Sequence, residues 1–186
     1  MPISTLGYAL LGLLARRPRT GYDLTQALRE PIGYFWTATH SQVYPELTRL
    51  EQGGHVRHRI VDNPGPRDGK LYRITAAGRR ALAEWSVTDV QSEVNRDEFL
   101  LKIYSTWTAD PAATRDAITR HRGEHRDRLA HYEAIEDEFA TSPGGLPTSP
   151  TDPDFSSYAT LRRGLSFERH AIDWCDWLLT ALAQSS

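Results

Sequence analysis

Apolar residues recur at the helical interval from the first turn of the chain. Leu6, Ala9, Leu10, Leu13 and Leu14 share one face of the segment Ser4–Arg16, a spacing that predicts an amphipathic helix. Pro18 ends it, and Thr20 is placed to cap a second helix that carries Tyr22, Leu24 and Leu28 as far as Pro31. A third helix is expected from near Ser41, because Pro45 lacks a backbone donor and belongs close to a first turn. Its inward positions are Val43, Leu47 and Leu50, and the pair Gly53-Gly54 supplies a left-handed stop. Two strand-like runs follow, Val56–Val61 and Lys70–Ile74, joined by the turn-rich stretch Asp62–Gly69. Thr75 then caps a fourth helix that reaches Trp85.

Three helices, a hairpin and a further helix, in that order, predict a winged helix-turn-helix over residues 1–86. The remainder, 87–186, reads as helical throughout. Phe99, Leu100, Ile103, Tyr104 and Trp107 mark a short apolar helix, and Asp110-Pro111 is a strong start signal for a long one reaching Phe139. Thr141–Pro153, rich in proline and glycine, is a connection. The last helix, Asp154–Leu182, has a heptad seam of Tyr158, Leu161, Leu165, Glu168, Ile172, Cys175, Leu179 and Leu182, with Glu168 its one charged break. Phe167, Trp174 and Leu178 form a second stripe beside it. One stripe can pack on the preceding helices of the same chain, and the other calls for a second copy. The dimerisation residues are taken to be Tyr158, Leu161, Leu165, Ile172, Leu179 and Leu182. The fold class is therefore mainly α, with a coiled-coil-like dimerisation domain behind the winged helix.

Composition narrows the function. With 39% apolar and 25% charged residues in 186, the chain can build a packed core. The longest apolar run, Tyr8–Ala15, is far short of the roughly 20 residues that a membrane span needs. The first residues lack the pattern of a secretory signal, so a cytoplasmic protein with no membrane partner is expected. A single cysteine, Cys175, excludes a disulfide scaffold and a structural zinc finger. The net charge of −2 hides a division: residues 1–86 hold 12 Lys+Arg against 7 Asp+Glu, and residues 87–186 hold 10 against 17. A basic first half suggests a polyanionic partner.

The third helix carries the strongest chemical signal. Ser41, Gln42, Tyr44, Thr48 and Arg49 remain on or near its outer surface once the apolar positions turn inward. A recognition helix presents short polar groups near its N-terminus to phosphates and base edges, and Gln and Arg can pair bidentately with adenine and guanine. In an isolated amphipathic helix such a face is usually only solvated. Here it precedes a hairpin with Arg67 and Lys70 near its tip and Arg57, Arg59 and Arg73 along its strands. Arg67 and Lys70 are assigned to the DNA backbone or minor groove, whereas the strand arginines serve equally well to protect an edge.

Other chemistry is weaker. His121 and His125, at i and i+4, could hold a metal on one helix face. Arg120, Arg122 and Arg126 crowd them and no third ligand stands out, so a solvated or interface pair and no metal are expected. Asp97-Glu98 and Glu136-Asp137-Glu138 read as solvent faces, and Cys175 as a small buried hydrophobe. No phosphate-cradling loop or nucleophile–base pattern occurs, so neither an enzyme nor a cofactor is expected.

In Leu10-Leu11-Gly12-Leu13-Leu14, Thr20-Gly21-Tyr22-Asp23-Leu24, Tyr44–Gly54 and Tyr72–Gly78, the chain resembles the PadR family of bacterial transcriptional regulators. The resemblance is to the longer subfamily, whose helical C-terminal domain is similar to that of virulence activators. Order and spacing agree across residues 6–82, although the wing run Pro66–Lys70 is less densely basic than the family's usual one. The resemblance implies a winged-helix homodimer, usually a repressor, whose affinity for double-stranded operator DNA is altered by a small molecule. For an aromatic effector the candidate residues are Tyr104, Trp107 and Trp174, drawn from a dense aromatic set that could otherwise be core. The alternative is a winged-helix-shaped ligand-binding or protein-interaction module without specific DNA recognition.

Overall fold

A computed structural model describes residues 2–28, 40–61, 69–90 and 96–184, and the chain divides into two compact units, Met1–Gln91 and Ser92–Ser186. In the first unit the order is α1 (Thr5–Arg16), β1 (Arg19–Thr20), α2 (Gly21–Ala27), α3 (His40–Gln52), β2 (Val56–Ile60), β3 (Lys70–Ile74) and α4 (Ala76–Trp85). This is the winged helix-turn-helix. The starts of α1, α2 and α4 are each fixed by a side chain that takes up an orphan backbone donor. Ser4 accepts from the Gly7 amide, Thr20 forms a reciprocal capping box with Asp23, and Thr75 accepts from the Gly78 amide. Helix α3 is followed by Gly54 at φ 72°, a left-handed position that glycine takes without strain. The extension of the second helix toward Pro31 lies outside the described residues.

The wing contains one strand more than the pattern predicts. The sheet order is β1-β3-β2, all antiparallel, with Arg19 and Thr20 paired to Tyr72 and Leu71. Val56 and Tyr72 are buried and join Leu10, Leu24, Val43 and Leu47 in one core. Helix α4 closes over that core by a backbone approach that only glycine allows. A Cβ on Gly78 would stand 2.2 Å from the His55 carbonyl oxygen. Thr75 secures the same joint by donating to the Gly54 carbonyl at 2.7 Å.

The second unit is helical: α5 (Glu98–Tyr104), a 3-10 turn at Thr106–Thr108, α6 (Pro111–Thr141) and α7 (Pro153–Gln184). Asp110 caps α6 through the Ala113 amide, with Pro111 in its first turn. Helices α6 and α7 pair antiparallel. Arg115 donates to the Leu182 carbonyl at one end, and the Tyr158 hydroxyl donates to Glu136 at the other. Tyr132 packs on Gly164 between them, where an added Cβ would sit 3.0 Å from the ring.

This pairing corrects the use of the α7 seam. Leu161, Leu165, Ile172 and Cys175 are buried, covered within the chain itself by α6, so these seam leucines and Ile172 offer no free surface to a second copy. Tyr158, Leu179 and Leu182 are half-buried along the same line. Burial is also the main reason the Cys175 thiol is pushed above its ordinary pKa, with Asp176 adding to it.

Two glycines test the packing with opposite signs. Gly78→Ala is expected to destabilise the first unit by about 2–3 kcal/mol through the clash with His55. Gly123 lies inside α6 with nothing within 4 Å of an added Cβ, so Gly123→Ala should stabilise by up to about 1 kcal/mol. Denaturant midpoints measure both, and a Gly78→Ala midpoint equal to the wild type would contradict the close approach.

Candidate nucleic-acid interface

Helix α3 turns Val43, Leu47 and Leu50 into the core and leaves Ser41, Gln42, Thr48 and Arg49 exposed, with Tyr44 half-buried. The five residues expected on the reading face are thus brought onto or beside one surface. Thr48 also donates its hydroxyl to the Tyr44 carbonyl at 3.1 Å. No fully exposed carboxylate lies on the described part of this helix. Both of its acids are occupied. Glu46, only 4% exposed, accepts from the Ser4 hydroxyl at 2.7 Å and from Arg49 Nη1 at 2.7 Å. Glu51 accepts from the backbone amide of His58 at 3.2 Å, and its Oε1 lies 2.6 Å from His58 Nδ1.

These two acids do different jobs. Glu46 joins α3 to the N-cap of α1 and draws in one arm of the Arg49 guanidinium, whose side chain is still 63% exposed. Glu51 joins α3 to strand β2, so the reading helix and the wing are held as one body. Sequence reasoning assigned neither of them. Their spacing from Leu47 and Leu50 gave the signal, because both fall beside the inward face of the helix.

The wing's register adds a second surface. Arg57 stands directly opposite Arg73, and Arg59 opposite Leu71. Directly paired residues share a face, as do residues two apart along a strand. The exposed Arg57, Arg59 and Arg73 therefore share one side of the sheet, while the buried Val56 and Tyr72 occupy the other. Like charges directly opposite on a sheet destabilise it. A polyanion would relieve that repulsion. Lys70, half-buried opposite Ile60, lies on the other side from the arginines. Arg67 lies outside the described residues. The cationic face is therefore built from the strand arginines: alternation alone places Arg57 with Arg59, and the register of the hairpin adds Arg73.

The three residues suggested for an effector are not drawn together. Tyr104 and Trp107 are exposed, and Trp174 meets the Phe99 ring edge-on at 6.2 Å. Among the described residues no ring contact joins the three. The histidine pair is not solvated either: His125 is buried against Glu168, and His121 stacks on Phe99.

Residues 10–84 match the PadR-like family of transcriptional regulators, and residues 95–183 match the virulence activator alpha C-terminal family. The chain is similar to the negative transcriptional regulator PadR of Bacillus subtilis, with 30% identity across 95% of this chain and 97% of that protein. The crystal structure of Bacillus subtilis PadR in complex with operator DNA aligns with a TM-score of 0.85 and 29% identity, covering 96% of this chain and 99% of the other. That of the same protein with p-coumaric acid aligns with a TM-score of 0.81 and 30% identity, covering 98% of each.

The helix anchor is open to test. Glu46→Gln keeps the shape but removes the charge that Arg49 and Ser4 address. It is expected to cost about 1.5–3 kcal/mol of stability, read as a lower denaturant midpoint with an unchanged slope. A midpoint equal to the wild type would mean that Glu46 contributes no net fixation.

Proposed function

The chain belongs to the PadR-like family of transcriptional regulators, and from that premise we propose that it is a homodimeric repressor of the cytoplasm. It grips inverted-repeat operator DNA with α3 and the arginine side of the wing, and a small aromatic molecule releases it. Membership places it among regulators rather than enzymes. The observation that carries the DNA reading is the cross-strand pair Arg57–Arg73, with Arg59 on the same exposed side. Folding brings these cations together at a cost, next to a helix whose outer face is polar and free of exposed carboxylates.

The roles divide by position. Ser41 and Gln42, at the start of α3, are the residues for base edges, with Gln42 able to pair bidentately with adenine. Tyr44, Thr48 and Arg49 continue that face along the helix. Arg49 shares its guanidinium with Glu46, so its contact competes with an internal one. Arg57, Arg59 and Arg73, together with Arg67 and Lys70, supply phosphate contacts that depend on charge rather than sequence.

The dimer is assigned to the apolar surface that the chain leaves uncovered. Leu100, Leu101 and Tyr104 on α5 and Phe167 and Trp177 on α7 are exposed, more than isolated apolar residues on a monomer surface require. This moves the interface from the inner seam of α7 to its outer side. A two-fold pairing there presents two reading heads, which is why an inverted repeat is expected. The aromatic effector follows from the relative's complex with p-coumaric acid, and Tyr104, Trp107 and Trp174 are the residues proposed to sense it.

A gel-shift titration against the chain's own upstream DNA tests the assignment. Gln42→Ala should weaken specific binding by about 1–3 kcal/mol and leave non-specific binding unchanged. Arg57→Ala combined with Arg73→Ala should weaken binding to every sequence and reduce the salt slope by about two. A planar phenolic acid should raise the apparent Kd of the wild type for its operator. Wild-type operator affinity in both variants would refute this interface.

A further inference from the structure

The second unit contains a cluster of titratable groups that DNA binding does not use. His121 and His125 stand one turn apart on α6, and their Nε2 atoms are hydrogen-bonded at 3.1 Å. Behind them, His125 Nδ1 meets Glu168 Oε2 of α7 at 2.5 Å, and both of those side chains are almost completely buried. Arg128 donates from Nε to the other oxygen of Glu168 at 3.2 Å, and its Nη2 lies 2.9 Å from His125 Nδ1. In front of them, the Phe99 ring of α5 stacks on His121 at 3.6 Å and meets Trp174 of α7 edge-on at 6.2 Å. Helix α5 has no buried residue, and only Phe99 and Ile103 on it are half-buried. The short helix is thus seated on α6 through the His121 ring.

A hydrogen bond between two Nε2 atoms has room for one proton, whichever ring owns it. A neutral imidazole carries one N–H, and an imidazolium carries N–H at both nitrogens. The contact therefore survives with both rings neutral or with either one charged, and it fails when both are charged. Two N–H groups would then point at each other across 3.1 Å, each belonging to a cation. We propose that the pair is an acid-sensitive latch: a proton on the second ring breaks the hydrogen bond, parts His121 from His125 and unseats α5. His121 is the ring that moves, because its side chain is 26% exposed and that of His125 only 6%. Phe99 favours a charged ring on its face, so the His121 ring takes Phe99, and α5 with it, when it leaves His125.

The surroundings set the direction of the response. Burial first, and His125 second, hold the His121 imidazolium below its ordinary pKa. Arg128 acts in the same sense, while Glu124 of α6 and Asp97, the N-cap of α5, act in the opposite one. Glu124 lies 3.9 Å from His121 Nδ1, beyond hydrogen-bond reach. The other carboxylates around the pair have partners of their own. Glu168 of α7 is engaged by His125 and Arg128, Asp176 of α7 by Arg122 and Arg126, and Glu98 of α5 by Lys102. An unfolded chain takes up the His121 proton near pH 6.5, and the folded chain does so only at lower pH. This contribution to stability is therefore complete above that pH and is lost as the solution is acidified. Leu100, Leu101 and Tyr104 move with α5, so acid also weakens the dimer, a consequence that rests on the surface assigned to it above.

Urea unfolding of the full-length chain between about pH 8 and pH 5 tests the latch against His121→Phe, which keeps a ring on Phe99 and takes no proton. Below pH 6.5 the unfolding constant of the wild type should rise, relative to that variant, by up to about tenfold for each pH unit. Nitrogen NMR of the wild type should show His121 charging only below pH 6.5. The Ile103 methyl signal of α5 should shift with the same midpoint. Parallel pH profiles for wild type and variant would overturn the latch, as would an Ile103 signal that stays in place while both rings become charged. Sedimentation over the same range separates the latch from the dimer surface. Dissociation in step with the Ile103 shift supports both, whereas a dimer that persists through that shift refutes the assigned surface and leaves the latch standing.

Discussion

Glu46, almost wholly buried between the Ser4 hydroxyl and the Arg49 guanidinium, is the point on which the DNA-facing half of the molecule depends. A helix can present side chains to a groove only if its own rotation and depth are fixed. Helix α3 has just Val43, Leu47 and Leu50 to fix it by burial, a narrow apolar stripe for thirteen residues. Glu46 adds a directional anchor. Its partners are the residue that caps α1 and a residue of the reading face, so the start of one helix and the exposure of another are set together. A carboxylate in that position would be costly without partners, and its hydrogen bonds convert that cost into specificity of placement. Glu51 extends the same logic to the wing, where His58 meets it through both backbone and ring.

The helical unit solves a related problem with the same chemistry. Its long hairpin has a thin apolar interior in which Ile118, Tyr132, Leu165 and Cys175 are separated by polar positions. Glu168 falls in the middle of the α7 seam. Left unpaired there it would cost several kcal/mol, but His125 and Arg128 of α6 meet it. Such a pairing adds little net stability, yet it fixes the register of the two helices, because a slip by one turn would strand three charged or polar groups. The consequence for assembly follows from this packing. With the inner seam filled, the exposed apolar side chains among the described residues of this unit include those on the outer sides of α5 and α7, the surface proposed for a second copy.

Local signals in the chain were legible where a residue acts on its own neighbours. Thr20, Thr75 and Asp110 announce helix starts, and Gly54 announces a stop, because each acts within three or four positions of itself. Strand β1 was not legible. Two residues carry no periodicity, and Arg19 and Thr20 become a strand only by pairing with Tyr72 and Leu71. Amphipathicity showed that α7 has two stripes but could not say which one its own chain covers. That is decided by α6, tens of residues away. The charged break at Glu168 was visible, while its partner His125, 43 positions earlier, was not. The candidate site divides in the same way. The outer residues of α3 could be read from helical spacing, and the shared side of Arg57 and Arg59 could be read from alternation. The opposition of Arg57 to Arg73 needed the register of the hairpin.

The central claim is that α3 and the arginine side of the wing form one rigid reading head, and that two copies of it act on one duplex. Hydroxyl-radical footprinting of the full-length protein on its own upstream DNA measures this directly. The account predicts two protected patches related by an inverted repeat, with centres about one or two helical turns apart and on the same face of the duplex, each flanked by backbone protection from the wing. A single protected patch, or uniform protection without half-sites, would contradict it.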